Sequence, residues 1–190
     1  MLTVVAVVEE FVYLCSLIHS TTQSSPDISR RNAITCAAMQ NLDSQIRMSR
    51  ISTYSKLKLY NTCILPIFLY GSECWAVTKR DVHKIDALGQ WCLRKLLGIK
   101  WYHYVRNDDV RRTTEQPHLS STVQARRLSL SGHSARMPDE SDAKQISSAP
   151  PPYPKNWRRP SGRPSSTWMK TIQHDLKSMN LSMNEAFDVA

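Results

Sequence analysis

The sequence predicts a mainly α-helical fold, with a short β-hairpin at the N-terminus and a Pro-rich linker that leads to a C-terminal helix. Three features favour this fold class. Apolar residues recur every three or four positions through most of residues 27–137. Capping residues stand where several of these stretches begin. Seven of the ten prolines lie between Met137 and Ser165, so the helix breakers are concentrated in one region.

The first segment, residues 3–20, is rich in β-branched and aromatic residues and has a polar interruption at Glu9 and Glu10. This pattern predicts two short strands or a hairpin. A helix should follow, with Asp27 or Ser29 as its cap. Its expected apolar positions are Ile28, Ala33, Ile34, Ala38, Leu42 and Ile46. The opposite face is expected to carry Arg30, Arg31, Arg47 and Arg50.

A second helix is predicted to begin near Ser52. Its apolar stripe consists of Leu57, Tyr60, Ile64 and Phe68. Proline has no backbone N–H, so this helix should bend or end near Pro66. Gly71 suits the left-handed turn that commonly follows a helix.

The third helix has the clearest boundaries. Thr78 and Asp81 have the spacing of a capping box, and Gly98 is suited to end the helix. The apolar face between them is Val82, Ile85, Leu88, Cys92 and Leu96.

Two further helices are predicted on either side of a turn at residues 115–117. Asn107 is the expected cap of the first, which is short, and the second covers about residues 120–137. The second helix is basic. This pair therefore permits an alternative interpretation of residues 107–137 as a helix-turn-helix-like DNA-binding module, although many helical domains contain such a pair without contacting DNA.

The region after Met137 should be an extended linker, because its prolines cannot sustain a helix or a central strand. Residues 155–170 contain five cations and no acid, the densest basic patch in the chain. Trp157 and Trp168 flank its arginines. These rings either stack on bases or pin the tail to the core, and the sequence leaves both open.

The charge balance favours nucleic acid as a partner. The sequence contains twenty-five Lys and Arg and sixteen Asp and Glu, which gives a net charge of +9. Most of the cations are arginines, whose planar fork fits phosphate oxygens. A basic surface without a partner is the alternative. No apolar run approaches the ~20 residues of a membrane helix, and the N-terminus lacks a secretory leader, so we expect an intracellular protein of the nucleus or cytoplasm with no membrane partner.

The sequence contains no recognisable active site. Its five cysteines are widely spaced, and no Cys or His pair has the spacing of a zinc site, so neither a metal nor another cofactor is expected. No phosphate-binding Gly-rich loop and no Gly-x-Ser-x-Gly motif occur. Asp108 and Asp109 fall at a predicted helix start, where carboxylates stabilise the helix dipole. Glu73 is expected to form a salt bridge with a Lys or Arg.

Five segments together resemble a known family. They are FVYLCSLIHS, KLKLYNTCILPIFLYGSECWAV, QWCLRKLLGIKWYHYVRNDDV, RRLSLSGHSARM and WRRPSGRPSSTWMKTIQHDL. In this order they resemble the region downstream of the catalytic palm in reverse transcriptases of non-LTR (LINE-type) retrotransposons. The resemblance extends from about Phe11 to the C-terminus. In that family the position of Cys15 is usually a glycine.

The resemblance implies a thumb-like helical bundle. Residues 1–20 would be a remnant of the palm strands, 21–137 the thumb and post-thumb helices, 138–164 the basic linker and 165–190 the C-terminal helix. The palm, with the paired aspartates that bind metal, would precede Met1. A non-catalytic fragment of an RNA-directed DNA polymerase is therefore expected, with sequence-independent binding to RNA, RNA–DNA hybrid or DNA. An inert truncated relic is a further alternative.

In such a fragment the helices around Trp75–Tyr102 would pack through Leu, Ile and Trp, while the cations would face phosphates. The expected phosphate contacts are Arg94, Lys95, Lys100, Arg111, Arg112, Arg126, Arg127, Arg158, Arg159 and Arg163. The expected stacking residues are Trp157 and Trp168.

Overall fold

The computed structural model describes residues 8–21, 23–47, 51–142, 144–145 and 166–181, with the backbone alone at Ile46 and Arg47. The predicted mainly α-helical fold with an N-terminal hairpin is confirmed. The strands are β1 Glu10–Tyr13 and β2 Ser16–His19. The described α-helices include α1 Ser25–Arg47, α2 Thr53–Leu59, α3 Leu65–Leu69, α4 Lys79–Leu97, α5 Asn107–Thr114, α6 Leu119–Arg136 and α7 Trp168–Ser178.

The hairpin pairs β1 with β2 in antiparallel register, from Glu10 opposite His19 to Tyr13 opposite Ser16. The turn between the strands consists of two residues, Leu14 and Cys15, with φ of 44° and 63°. Positive φ at both central residues matches the twist of a two-residue hairpin, which normally carries Gly or Asn there. The backbone at Cys15 therefore adopts a conformation that its side chain disfavours.

Cys15→Gly is expected to raise the free energy of unfolding by about 0.5–1 kcal/mol. Removing Cβ relieves the left-handed strain, and the greater backbone entropy of glycine in the unfolded chain offsets part of that gain. Urea denaturation followed by circular dichroism measures the change. Cys15→Ala is the matched control, since it removes the thiol but retains Cβ. An equal gain in the alanine variant would contradict the backbone explanation.

Helix α1 begins before the predicted caps, so the assignment of Asp27 or Ser29 as its N-cap is wrong. The backbone of Ile28 donates to the Ser24 carbonyl at 3.0 Å, which places the first helical hydrogen bond one turn earlier. The Ser24 hydroxyl oxygen accepts instead from the Ala76 backbone at 2.9 Å. The start of α1 is thus tied to a distant segment of the chain.

The buried face of α1 also differs from the predicted one. It follows helical spacing through Ile28, Arg31, Thr35, Met39 and Asp43. Ile34, expected in the core, is 38% exposed, and Arg31, expected on the outer face, is 5% exposed. Arg31 is buried because its guanidinium donates to the carbonyl oxygens of Cys15 and Ile67 and lies 4.8 Å from the Tyr70 ring centroid.

Helix α2 begins next to Ser52, as predicted, and the Ser52 hydroxyl caps it by accepting from the Ser55 backbone at 3.2 Å. A π-helical turn over Tyr60–Ile64 then leads directly into α3. The chain therefore stays helical past Pro66, and the helix ends at Leu69, three residues after the proline near which it was expected to bend or end. Pro66 lies in the first turn of α3, where a backbone N–H is not required. Gly71 has φ of 73°, and the predicted left-handed turn is confirmed.

Helix α4 has both predicted ends. Thr78 and Asp81 form a reciprocal capping box, and Gly98 has φ of 68° after the last turn. The predicted apolar face is buried at Ile85, Leu88, Cys92 and Leu96. Helices α1, α2, α5 and α6 all contact α4, which makes it the central helix of the described fold.

Helices α5 and α6 start and end within one residue or so of the predicted positions. Asn107 does not cap α5 through its side chain; its Oδ1 accepts from Arg94 at 2.9 Å instead. The predicted C-terminal helix is confirmed as α7, with the Thr167 hydroxyl accepting from the Lys170 backbone. Ile172 and Leu176 are buried where α7 packs against α6. The linker expected at 138–164 lies mostly outside the described residues.

Candidate nucleic-acid interface

The residues predicted to contact nucleic acid do not share one environment. Trp157, Arg158, Arg159 and Arg163 lie outside the described part of the chain. The others divide into cations held by structural contacts and cations free to face a ligand. Burial and ion-pair partners distinguish the two groups.

Arg127 belongs to the core and is not placed to contact a phosphate. It is 4% exposed, and its Nε and Nη2 donate to Asp175 Oδ2 at 2.8 and 2.5 Å. Its Nη1 also donates to the Trp75 carbonyl at 3.4 Å. The prediction that this basic pair on α6 would face outward is therefore wrong at Arg127, since helical rotation turns it inward next to an outward-facing Arg126.

Arg126 forms an ion pair with Glu73. Its Nη2 lies 3.3 Å from Glu73 Oε2, which confirms the predicted salt bridge and assigns Glu73 a structural partner. Trp168 contributes to the same junction, because its Nε1 donates to the Glu73 carbonyl at 2.8 Å. Of the two roles left open for Trp168, the structure shows the anchoring contact.

Arg94 and Lys95, at the end of α4, are also engaged. Lys95 Nζ lies 3.2 Å from Asp43 Oδ2 and 5.5 Å from the Trp91 ring centroid. Arg94 donates to the Val105 carbonyl at 2.5 Å and to Asn107 Oδ1. These contacts fix α4 to α1 and to the loop that follows. Both side chains remain partly exposed.

Lys100 and Arg112, two of the predicted contacts, lie on exposed parts of the region between α4 and the end of α5. The Lys100 ammonium lies 5.7 Å from the Tyr102 ring centroid on an exposed loop. The Arg112 side chain is 81% exposed and makes a 3.4 Å contact with Asp109. Arg111 is less available, with 20% side-chain exposure and a 3.2 Å contact to Asp108. Exposed pairs of this kind are weak, at roughly 0–1 kcal/mol, so they leave Arg112 free to exchange partners.

The surface around Lys100 and Arg112 contains groups that sequence reasoning did not select. Arg106 is exposed at the N-terminal boundary of α5. Trp101 and Tyr104, in the loop before it, are 84% and 88% exposed. The expectation that the tryptophans of residues 75–102 pack inward is thus wrong at Trp101. One signal was present: three large aromatics fall within residues 101–104, after the helix-ending Gly98 and therefore outside the apolar face predicted for that helix.

Among the described residues, no group of three His, Cys, Asp or Glu converges as a metal site. The buried thiol of Cys92 has its pKa raised to about 12, first by burial and then by the neighbouring Cys36. Burial likewise raises the pKa of Tyr60. Both groups therefore stay protonated at neutral pH, as core residues rather than nucleophiles. None of the described helices is long and apolar enough to cross a membrane.

Comparison with known proteins gives a single class of origin. The chain is 26% identical over 176 residues to a protein of Caenorhabditis elegans that is described as an uncharacterized transposon-derived protein. The match covers 89% of this chain and 61% of that relative's length. No family model and no solved structure matches the chain. The similarity supports a transposon origin.

Proposed function

We propose that this chain is a non-catalytic part of a transposon-encoded, LINE-type reverse transcriptase that binds RNA, RNA–DNA hybrid or DNA through phosphates, without reading base sequence. The observation that carries the proposal is the basic junction between α4 and α5. Residues 94–112 contain six Lys and Arg and only two acids, and Lys100, Arg106 and Arg112 are exposed there. Together with the transposon-derived relative, this surface favours nucleic acid over a generic basic face.

The two acids at the junction do not neutralise its positive charge. Asp108 and Asp109 lie in the first turn of α5, and each contacts an arginine one turn later in the same helix. Lys100 and Arg106 precede them on the exposed loop side. Phosphate contacts made by such cations depend on charge and spacing, so binding should be indifferent to sequence and steeply sensitive to salt.

A variant carrying Lys100→Gln, Arg106→Gln and Arg112→Gln tests the proposal. We expect weaker binding to single-stranded RNA, DNA duplex and RNA–DNA hybrid alike. The slope of log affinity against log salt should become shallower by about 2–3 for the duplex, because each cation that no longer neutralises a phosphate reduces the slope by roughly 0.9. Fluorescence anisotropy across a salt series measures both quantities.

The matched control is the triple variant Lys79→Gln, Arg80→Gln and Lys177→Gln. These three side chains are also exposed. Lys79 and Arg80 lie on the first turn of α4, at the opposite end of that helix from the junction, and Lys177 lies on the last turn of α7, which packs against α6. Both variants lose the same net charge. Equal reductions in affinity would contradict a localised interface. Strong preference for one duplex sequence would instead favour the DNA-reading alternative, and no binding at low salt would overturn the proposal.

A further inference from the structure

The loop between α4 and α5 exposes an unusual amount of aromatic surface. Trp101 and Tyr104 are 84% and 88% exposed, and Tyr102 between them is 46% exposed. The rings of Trp101 and Tyr102 meet edge to face at 5.7 Å, and Tyr102 meets the His103 ring at 4.7 Å. Leaving such rings in water forgoes roughly 25 cal/mol per Å² of apolar surface, so folding stability does not explain the arrangement.

The loop is nevertheless held in place at both ends. After Gly98, the Ile99 backbone donates to the Arg94 carbonyl at 2.9 Å. At the other end, Arg94 donates to the Val105 carbonyl and to Asn107 Oδ1. The Arg94 side chain of α4 thus fixes the C-terminal end of the loop. The rings lie between these two hydrogen-bonded ends. Trp101 and Tyr102 belong to a short 3₁₀ turn over Trp101–His103, and Tyr104 has a left-handed backbone with φ of 52°.

Two cations adjoin the loop that carries the rings. Lys100 lies over Tyr102, and Arg106 follows directly after the loop. An apolar protein partner would be expected to meet few charges at the centre of such a patch. Aromatic rings bordered by Lys and Arg instead match the needs of unpaired bases on a phosphate backbone, because each base has a π-face and each phosphate a negative charge.

We infer that Trp101, Tyr102 and Tyr104 form a stacking platform for unpaired bases of single-stranded nucleic acid, with Lys100 and Arg106 holding the adjoining phosphates. This inference deepens the proposed function and rests on it. It assigns the junction a preference for single strands that phosphate contacts alone do not give. RNA and DNA share the required chemistry.

The test compares the intact chain with the double variant Trp101→Ala and Tyr104→Ala. The probes are a fluorescein-labelled single-stranded DNA of mixed sequence, an abasic strand of the same length, the corresponding single-stranded RNA and a DNA duplex. We expect the double variant to lose affinity for the base-containing single strands by about tenfold or more, since each stacked base contributes about 1–3 kcal/mol. Affinity for the abasic strand and the duplex should not change.

Tyr13→Ala is the matched control, because Tyr13 is 57% exposed and lies on β1. The hairpin is held by Asp27 at the start of α1, whereas Lys95, near the loop, pairs with Asp43 towards the end of α1. Tyr13→Ala should leave affinity for all four probes unchanged, and circular dichroism should show that every variant is folded. If the double variant binds single strands as tightly as the intact chain does, the platform is refuted while phosphate binding stands. If the intact chain binds none of the probes at low salt, the proposed function fails, and the platform with it.

Discussion

Asp175→Ala is expected to lower the free energy of unfolding by about 3–5 kcal/mol, because it leaves the buried Arg127 guanidinium without its counter-charge. Both charges are taken out of water at the α6–α7 contact, with side-chain exposures of 4% for Arg127 and 10% for Asp175. Nε and Nη2 of the arginine both donate to one carboxylate oxygen. Urea denaturation measures the loss, and α7 should be the first element to detach.

Two controls separate the buried pair from the general effect of removing a charge. Glu73→Ala breaks the neighbouring Arg126 pair, whose side chains are 45% and 29% exposed, and should cost no more than about 1 kcal/mol. The double variant Arg127→Met and Asp175→Leu replaces the buried pair with apolar side chains and should recover most of the stability. A double variant as unstable as Asp175→Ala would show that the pair itself, rather than the unpaired charge, stabilises the contact.

Much of the fold could be predicted because local signals coincide with the tertiary structure. The capping box of Thr78 and Asp81, the left-handed Gly71 and Gly98, and the cap at Ser52 depend on neighbours within four residues. Features of this kind form from the local sequence and do not depend on tertiary contacts elsewhere in the chain. The start and inner face of α1 could not be predicted in the same way, because long-range hydrogen bonds decide them.

The candidate interface was less predictable for a related reason. Composition identifies a basic protein, but it does not say which arginines are neutralised within the fold. Arg126 and Arg127 are adjacent in sequence, yet one pairs with Glu73 near the surface and the other with Asp175 in the core. The two partners are 53 and 48 residues away in the chain. Trp101 and Tyr104 are likewise large aromatics of the type that usually forms a core. Only the position of the loop in the fold shows that their rings are exposed.

Asp27→Ala is the second substitution for which we expect a large effect, a loss of about 3 kcal/mol. The buried indole N–H of Trp75 and the part-buried backbone N–H of Leu17 would each lose a charged acceptor, at about 1.5–3 kcal/mol before relaxation. Asp27 is 3% exposed. Its Oδ1 accepts from the Leu17 backbone at 2.9 Å, and its Oδ2 accepts from Trp75 Nε1 at 2.8 Å. One carboxylate therefore links the hairpin, α1 and the segment that precedes α4.

The contribution of the indole bond can be isolated with a double-mutant cycle of Asp27→Ala and Trp75→Phe. Trp75 also meets Phe68 edge to face at 5.5 Å, and phenylalanine keeps a ring at that contact while removing the N–H donor. We expect a coupling energy of about 1–3 kcal/mol between the two positions. Asp108→Ala is the surface control, because that carboxylate is 82% exposed and its removal should change stability by no more than about 0.5 kcal/mol. If Asp27→Ala were as mild as Asp108→Ala, the carboxylate would not hold the hairpin to the helices, and the hydrogen bonds from Arg30 and Arg31 to the Cys15 carbonyl would be left to do so.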